Sequence, residues 1–435
     1  MNCKHISFLI ALTVFTESAV VHGDVLTVDA AVGIALKTNY GVLVAHDDAE
    51  IAKVNNAAGN AGMLPSAAVT ASDNYIANGI TVAQKTSGAP LQSSQGSINS
   101  LGAEALLSWT VFDGGKMFVT KSKLAELEGL GEVQLRDRVL TTVYDVTAAY
   151  YDIVRQKQQL ASIMKVLTYN QERVTIMQTS FGQGLSPKTD LLQAQIDLNV
   201  DKENVLVQKN AIATATRTLN QLLSRDPDVA FDVVDSIPFG YVPNREKLTS
   251  KLDSGNSAIM ASQKQVTVAD LTVKEAASQF LPRISVNGGY GVSQSNNPAS
   301  SVYMSRTAGP QIGGSISIPL YQSGNAARQV QTAKLQLQSA RYSLASTKLD
   351  AATQLGKALE DFADQEALRA MERDNAALAK ENLEISMQRL RYGQSTALEL
   401  RQAEESYEQS LTRLTDIEYN LKMAEMKIKE LVGEL

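Results

Sequence analysis

The chain is written twice. Gly115 and Gly184 are answered by Gly324 and Gly393, each 209 positions further on, so the 69-residue segment between the paired glycines recurs at equal length. Around the first pair, "SWTVFDGGK" (108–116) answers to "SIPLYQSGN" (317–325). Upstream, "GMLPSAAVTAS" (62–72) answers to "QFLPRISVNGG" (279–289), with Pro65 matched by Pro282 at an offset of 217. The first copy therefore carries 8 more residues between its proline and its glycine. Such a repeat limits the fold more than any local pattern does, because both copies must take one supersecondary plan.

Each copy reads helix, hairpin, helix, helix. Apolar periodicity predicts helices over 27–63 and 245–280, far longer ones over 116–180 and 325–391, and closing helices over 186–224 and 396–432. In the first long helix Val139, Val143, Val146, Tyr150 and Ile153 step by four and three, the spacing of a coiled-coil seam. Leu355, Leu359 and Phe362 repeat the last three at the 209 offset. At about 1.5 Å per residue the long helix runs roughly 98 Å, and the two shorter ones roughly 58 and 55 Å. The short pair laid end to end equals the long helix, so each copy reads as a helical hairpin about 100 Å tall with a join partway up. Aromatics at 6% and only 10 prolines suit such rods better than several compact domains. The Pro- and Asp-marked run at 224–246, with a strand-like centre, separates the copies. The expected organisation is a first repeat over 24–225, an equatorial linker over 226–244 and a second repeat over 245–435. The hairpins are expected at about 65–113 and 282–321, and the turns between long helices at about 181–186 and 392–395.

The hairpins alternate with period two. Ile312, Gly314, Ile316, Ile318 and Leu320 interleave with Gln311, Gly313, Ser315 and Ser317. Ile284, Val286, Tyr290 and Val292 interleave with Arg283, Ser285, Asn287 and Ser293, and Leu107, Trp109 and Val111 with Ser108 and Thr110. Residues 65–77 supply a fourth, weaker strand, and the Ser-, Asn- and Gly-rich hairpin tips (78–97 and 293–309) read as surface loops. Short strands with one apolar and one polar face fit either a soluble sandwich or an outer-membrane barrel with apolar residues outward. Four strands do not close a barrel, and open edges are not tolerated in lipid. Three copies would supply twelve strands and close it, with the long helices forming a tube below.

Charge and reactive residues narrow the function further. With 40 basic and 46 acidic side chains, a formal charge of -6, the chain offers no basic face for nucleic acid. Lys4, His5 and the apolar run 6–15 read as a secretory signal over 1–23, too short to span a bilayer as a helix. Its removal takes Cys3, His5 and His22 and leaves His46 as the single histidine. A catalytic triad or a two-histidine zinc site has little to draw on, so neither an enzyme nor a cofactor or metal site is expected. His46, on a helical pattern beside Asp47 and Asp48, reads as a surface residue.

The turns between the long helices are "SFGQGLSPKTDLLQAQ" (180–195) and "RLRYGQSTALELRQAE" (389–404). Gly184 and Gly393 suit the left-handed backbone of such a turn. Ser186 is expected to cap the returning helix and Pro187 to fill its first position. Phosphate binding is not expected, since no Walker motif and no preceding strand is present.

On these features the sequence resembles the TolC family of outer-membrane efflux and export channels. The resemblance covers nearly the whole chain after residue 23. It rests on the duplicated plan, the "LP" opening each first strand, and "FDGGK" and "YQSGN" closing each second strand. It is completed by an aromatic or apolar residue, then a glycine three positions later and an acid six beyond that: Phe181, Gly184 and Asp190, then Leu390, Gly393 and Glu399. The resemblance implies a homotrimer whose twelve-stranded barrel in outer-membrane lipid continues into a helical tunnel across the periplasm. It implies a passive duct that works with a periplasmic adaptor (membrane fusion) protein and an inner-membrane pump of the ABC, RND or MFS type, for drug efflux, metal efflux or type I protein secretion. The family's docking tips map onto Gly184, Leu185, Gly393 and Gln394. Its aperture maps onto Glu399 and Gln402 as ring positions and Asp190 as a gate residue. Three Glu399 side chains at a constriction favour cations and raise one another's pKa. Gln402 is neutral and Arg401 lies beside it, a departure that weakens such a ring. The partners of the family's Asp–Tyr–Arg lock are replaced by Leu390 and Ser395, with Arg389, Arg391 and Tyr392 close by in sequence. The competing reading is a soluble periplasmic coiled-coil adaptor or scaffold, which needs no lipid-facing strands.

Overall fold

The computed structural model describes residues 25–82, 92–297 and 302–435. The expected signal over 1–23 and the extreme ends of both hairpins lie outside the described residues. In chain order the elements are β1 (Val25–Leu26), α1 (Val28–Thr38), α2 (Tyr40–Asn55), β2 (Ser66–Val82), β3 (Gln92–Asp113), α3 (Lys116–Gly182) and α4 (Lys188–Leu222). They continue with β4 (Asp232–Val233), α5 (Arg245–Gly255), α6 (Ser257–Ala277), β5 (Arg283–Asn296), β6 (Met304–Ser317), α7 (Asn325–Arg391) and α8 (Ala397–Val432). The chain falls into two compact units. Of the described residues, one holds those up to Asn39 with Thr142–Gly240 and Phe362–Met423; the other holds those within Tyr40–Thr141, Tyr241–Asp361 and Ala424–Leu435.

The duplication persists down to single hydrogen bonds. α3 and α7 are both 67 residues long and begin and end 209 positions apart. α4 closes with Ser224 in the left-handed region (φ 51°) and Arg225 N donating to Asn220 O; α8 closes with Gly433 (φ 71°) and Glu434 N donating to Lys429 O, the same cap at the same offset.

One expectation is corrected here. The helices predicted as unbroken over 27–63 and 245–280 are each interrupted after 11 residues, at Asn39 and Asn256, which lie 217 positions apart. Both asparagines take extended backbone angles, so the helix cannot run through them. Each side chain then does what a mid-helix asparagine is prone to do and bonds backbone instead. Within the first unit, Asn39 Nδ2 donates to Leu222 O at 2.8 Å, one of the carbonyls left over at the end of α4. Within the second, Asn256 Nδ2 donates to Leu431 O at 2.9 Å, and its Oδ1 accepts from Ile259 N at 3.1 Å, capping α6. Gly255 makes this junction possible: a Cβ there would stand 2.1 Å from Val432 O. Asn256→Ala removes the cap and strands a buried carbonyl, so we expect a loss of about 2 kcal/mol, read by chemical denaturation of the purified protein; an unchanged midpoint would refute this account of the junction.

In the first unit the seam predicted along α3 is the core. Val146, Tyr150 and Ile153 are buried together with Ala31 and Ala35 of α1, Leu219 and Leu223 at the end of α4, and Val233 and Ile237 of the segment after it. The strand-like centre expected in that segment is β4, which pairs parallel with β1. Tyr150 clamps the pair: its hydroxyl donates to Leu26 O at 2.8 Å and accepts from Val234 N at 3.1 Å.

The second unit carries an antiparallel sheet of order β2-β3-β5-β6. The 8 extra residues of the first copy go with longer strands, 17 and 22 residues in β2 and β3 against 14 and 14 in β5 and β6. The strands also run well into the stretches expected as surface loops, as far as Val82 and Asn296 and from Gln92 and Met304. Register places the alternation on two faces. Rows such as Ala67–Leu107–Gly288–Ile312 and Val69–Ala105–Tyr290–Pro310 lie on one face, and Ser66–Ser108–Asn287–Gly313 and Thr70–Glu104–Gly291–Gly309 on the other. A bulge between Thr110 and Phe112 brings Phe112 opposite Ile284 and keeps the apolar face continuous toward the helices. The apolar face is not covered: Val69 is 79% and Ile312 87% exposed. A soluble sandwich would bury these side chains, so that alternative is set aside.

Candidate functional site: the helical tips

The tips belong to the first unit, where α3 turns into α4 and α7 into α8. Gly184 (φ 75°) and Gly393 (φ 67°) both take left-handed backbone, which a side chain would strain. The turns close identically. Gly184 N donates to Phe181 O and Leu185 N to Ser180 O; Gly393 N donates to Leu390 O and Gln394 N to Arg389 O, at 3.0 and 2.8 Å in each turn. The start of α4 differs from expectation. Pro187 is itself the N-cap and α4 begins at Lys188, while Ser186 Oγ is buried without a hydrogen bond rather than capping. Proline fixes the extended-to-helical corner through its own backbone, so the hydroxyl is not needed there. The second tip uses side chains: Glu399 N donates to Thr396 Oγ1 at 3.2 Å.

The tips are tied to each other through a shared apolar core. Met177 of α3, Leu191 of α4, Leu383, Met387 and Leu390 of α7, and Leu400 and Tyr407 of α8 are buried in it. Leu390 is 6% exposed, so its place in the second tip motif is a packing place rather than a polar one.

The predicted site residues sit around this core in three settings. Leu185 projects from the first turn, 77% exposed, with Gly184, Gly393 and Gln394 exposed beside the turns. Asp190 lies in the first turn of α4 and lines a groove between the tips with Thr175, Arg391, Tyr392 and Ser395. Among the described residues its carboxylate accepts only from Thr189 Oγ1, at 3.5 Å. Arg391 instead pairs with Glu172 of α3, and Arg389 Nη2 donates to Gln394 O at 2.9 Å. Glu399 and Gln402 are exposed on α8 outside the groove lining. Ser395 Oγ donates to Glu399 Oε2 at 2.5 Å. That bond, helped by Thr396 N and by the Arg389 charge, holds the Glu399 carboxyl below its ordinary range, so it is ionised at neutral pH.

A group the sequence reading did not pick out lies one step deeper. Arg173 of α3, Asp201 of α4 and Glu404 of α8 are all buried, with Arg173 only 2% and Glu404 3% exposed. The signal for it was present: Val166, Asn170, Arg173 and Met177 step by four, three and four, as do Leu400, Glu404, Tyr407 and Leu411. Polar residues therefore occupy slots of apolar seams. His46 is on the exposed surface of α2, 3.7 Å from Asp47, as expected. Among the described residues no cluster of potential metal ligands is found, and no single helix is long and apolar enough to cross a membrane.

Comparison with known proteins agrees with this architecture. The pattern of the family described as outer membrane efflux protein matches residues 32–225 and 248–434. The chain is 24% identical over 332 residues to the outer membrane efflux protein BepC of Brucella suis, covering 76% of this chain and 71% of that one. It is 22% identical over 300 residues to the outer membrane protein TolC of Vibrio cholerae, covering 67% of each. In structure it is similar to the Campylobacter jejuni CmeC outer membrane channel, with a TM-score of 0.77 at 19% identity over 94% of this chain and 85% of that one. Two matched repeats of helix, hairpin and paired long helices, an uncovered apolar sheet face and a family match across both repeats lead to one conclusion: the chain belongs to the outer membrane efflux protein family.

Proposed function

We propose that this outer-membrane efflux channel works as a homotrimer, in which three four-stranded sheets close into one barrel and the helices form the duct beneath it. The observation that carries this is the sheet: an uncovered apolar face on a sheet whose β2 and β6 edges have no further strand beside them among the described residues. Lipid covers such a face, but an open edge in lipid leaves backbone groups unpaired, so the edges must meet in copies of the same chain. The helices give independent support. Leu192, Ile196 and Val200 of α4, and Met371, Leu378 and Ile385 of α7, form exposed apolar stripes at helical spacing on different helices. Two unlike stripes suit a head-to-tail contact that closes into a ring. Residues 24–225 and 245–435 then act as quasi-equivalent repeats around the linker.

The tips are the end at which a periplasmic adaptor and, through it, an inner-membrane pump would engage. Gly184, Leu185, Gly393 and Gln394 form the docking surface, supported by two exposed, identically closed turns. Glu399 and Gln402 form the aperture, with Asp190 acting in the groove beside them. Arg391–Glu172 takes the bracing role between α7 and α3, supported by Asp190 having no cationic partner among the described residues. Glu399→Ala is expected to change conductance and lower cation preference in planar bilayers. Unchanged selectivity would remove Glu399 from the aperture.

A further inference from the structure

We propose that the buried group around Arg173 is a proton switch that tightens the packing of α8 against α3 and α4 as the periplasm acidifies. One guanidinium pairs with two carboxylates from two helices, and a third carboxylate lies close to it on α4. Its Nη2 donates to Asp197 Oδ2 at 2.6 Å, and its Nη1 lies 2.9 Å from Glu404 Oε2. Asp201, on α4 one turn beyond Asp197, accepts from Asn170 Nδ2. One positive and up to three negative charges, with Arg173, Asp201 and Glu404 buried and Asp197 half-buried, leave an excess that favours taking up a proton.

The geometry selects the acceptor. Asp197 also accepts from Gln193 Nε2 at 2.8 Å, and Asp201 has Asn170. Among the described residues Glu404 receives no hydrogen bond on either oxygen, and Arg173 Nη1 stands 2.9 Å from its Oε2 as an ion pair. On its own helix Glu404 is flanked by the acids Glu405 and Glu408; α7 contributes Lys380 and Glu384 near Tyr407, three residues along α8. Burial, opposed by Arg173 and reinforced by Asp201, Asp197 and Glu405, pushes the Glu404 carboxyl up from 4.5 to about 7. Burial likewise raises Asp201 and Glu408.

The sign follows from linkage. An acid raised in the packed state holds a proton there that it releases when the helix opens to water. Packing is therefore favoured at low pH and weakens as pH rises from 4.5 toward about 7. Between pH 6 and pH 8 the opening equilibrium of the α8 tip shifts by about tenfold. The consequence for conduction rests on the channel reading, since α8 also carries Glu399 and Gln402. The packing change itself does not.

Hydrogen exchange on the full chain in detergent, corrected for the intrinsic rate, tests it over residues 397–411. Wild type is expected to exchange about tenfold more readily at pH 8 than at pH 6, and Glu404→Gln to show low exchange at both. Equal protection of wild type at the two pH values, or a pH dependence that survives in Glu404→Gln, would overturn the switch. If the variant fails to assemble, infrared titration of wild type decides: a protonated-carboxyl band lost between pH 6 and 8 supports the proposal, and its absence overturns it. A failure of trimer formation or of export leaves these readouts intact, so the two readings fail separately.

Discussion

Ile312→Arg is expected to abolish the outer-membrane form of the protein, while Gln311→Arg, one residue away, leaves it in place. The two side chains stand on opposite faces of β6. Ile312 shares a row with Gly288, Leu107 and Ala67, in the middle of the apolar band, and is 87% exposed. That band runs along β5 from Ile284 to Val292, about 27 Å of strand at roughly 3.4 Å per residue, against a lipid-facing band of about 25 Å in outer-membrane barrels. An arginine near its centre costs about 2–4 kcal/mol per chain, and three-fold symmetry would place that cost in one barrel three times. Gln311 points to the polar face, where its amide contacts Glu104 two strands away across glycine-lined β5. An arginine there meets a carboxylate and water. Heat-resistant oligomers on gels of the outer-membrane fraction give the result. Assembly of Ile312→Arg equal to that of Gln311→Arg would mean that the apolar face does not meet lipid.

Gly184→Asp is expected to abolish export without preventing oligomer assembly. Aspartate tolerates left-handed backbone better than most residues, so the turn at φ 75° survives with a cost of about 1 kcal/mol. Among the described residues other than its chain neighbours, no atom lies within 4 Å of a Cβ built at Gly184, so the change has open space there. What it adds is a charge on the exposed turn beside Leu185, where the proposed docking would bring a partner close to backbone. Loss of export by assembled oligomers, scored by resistance to a known exported compound or by secretion of a cargo protein, is the expected outcome. Normal export would remove the first tip from the docking surface.

Much of this was legible in the sequence because repetition and alternation are read without knowing contacts. The glycine pairs at one offset predicted two identical turns, and their hydrogen bonds match in partner and length. Period two along β5 and β6 predicted which residues share a face, and the register agrees residue by residue. The breaks at Asn39 and Asn256 were not read, because no proline marks them, Gly41 and Gly255 stand singly inside helical patterns, and the apolar period continues through both. They depend on carbonyls at Leu222 and Leu431, more than 170 residues away. The cap on α4 was misread for a local reason: Ser-Pro offers two ways to start a helix, and here the backbone of Pro187 serves while the Ser186 hydroxyl is buried. The Arg173 group was missed because its members come from three helices in both repeats. Only its intrusion into apolar seams was visible along the chain.

The central claim is that three copies close one membrane barrel. Native mass spectrometry of the protein extracted in detergent from outer membranes tests it directly. The account predicts a complex of three chains; a single chain, recovered from the soluble periplasmic fraction, would contradict it.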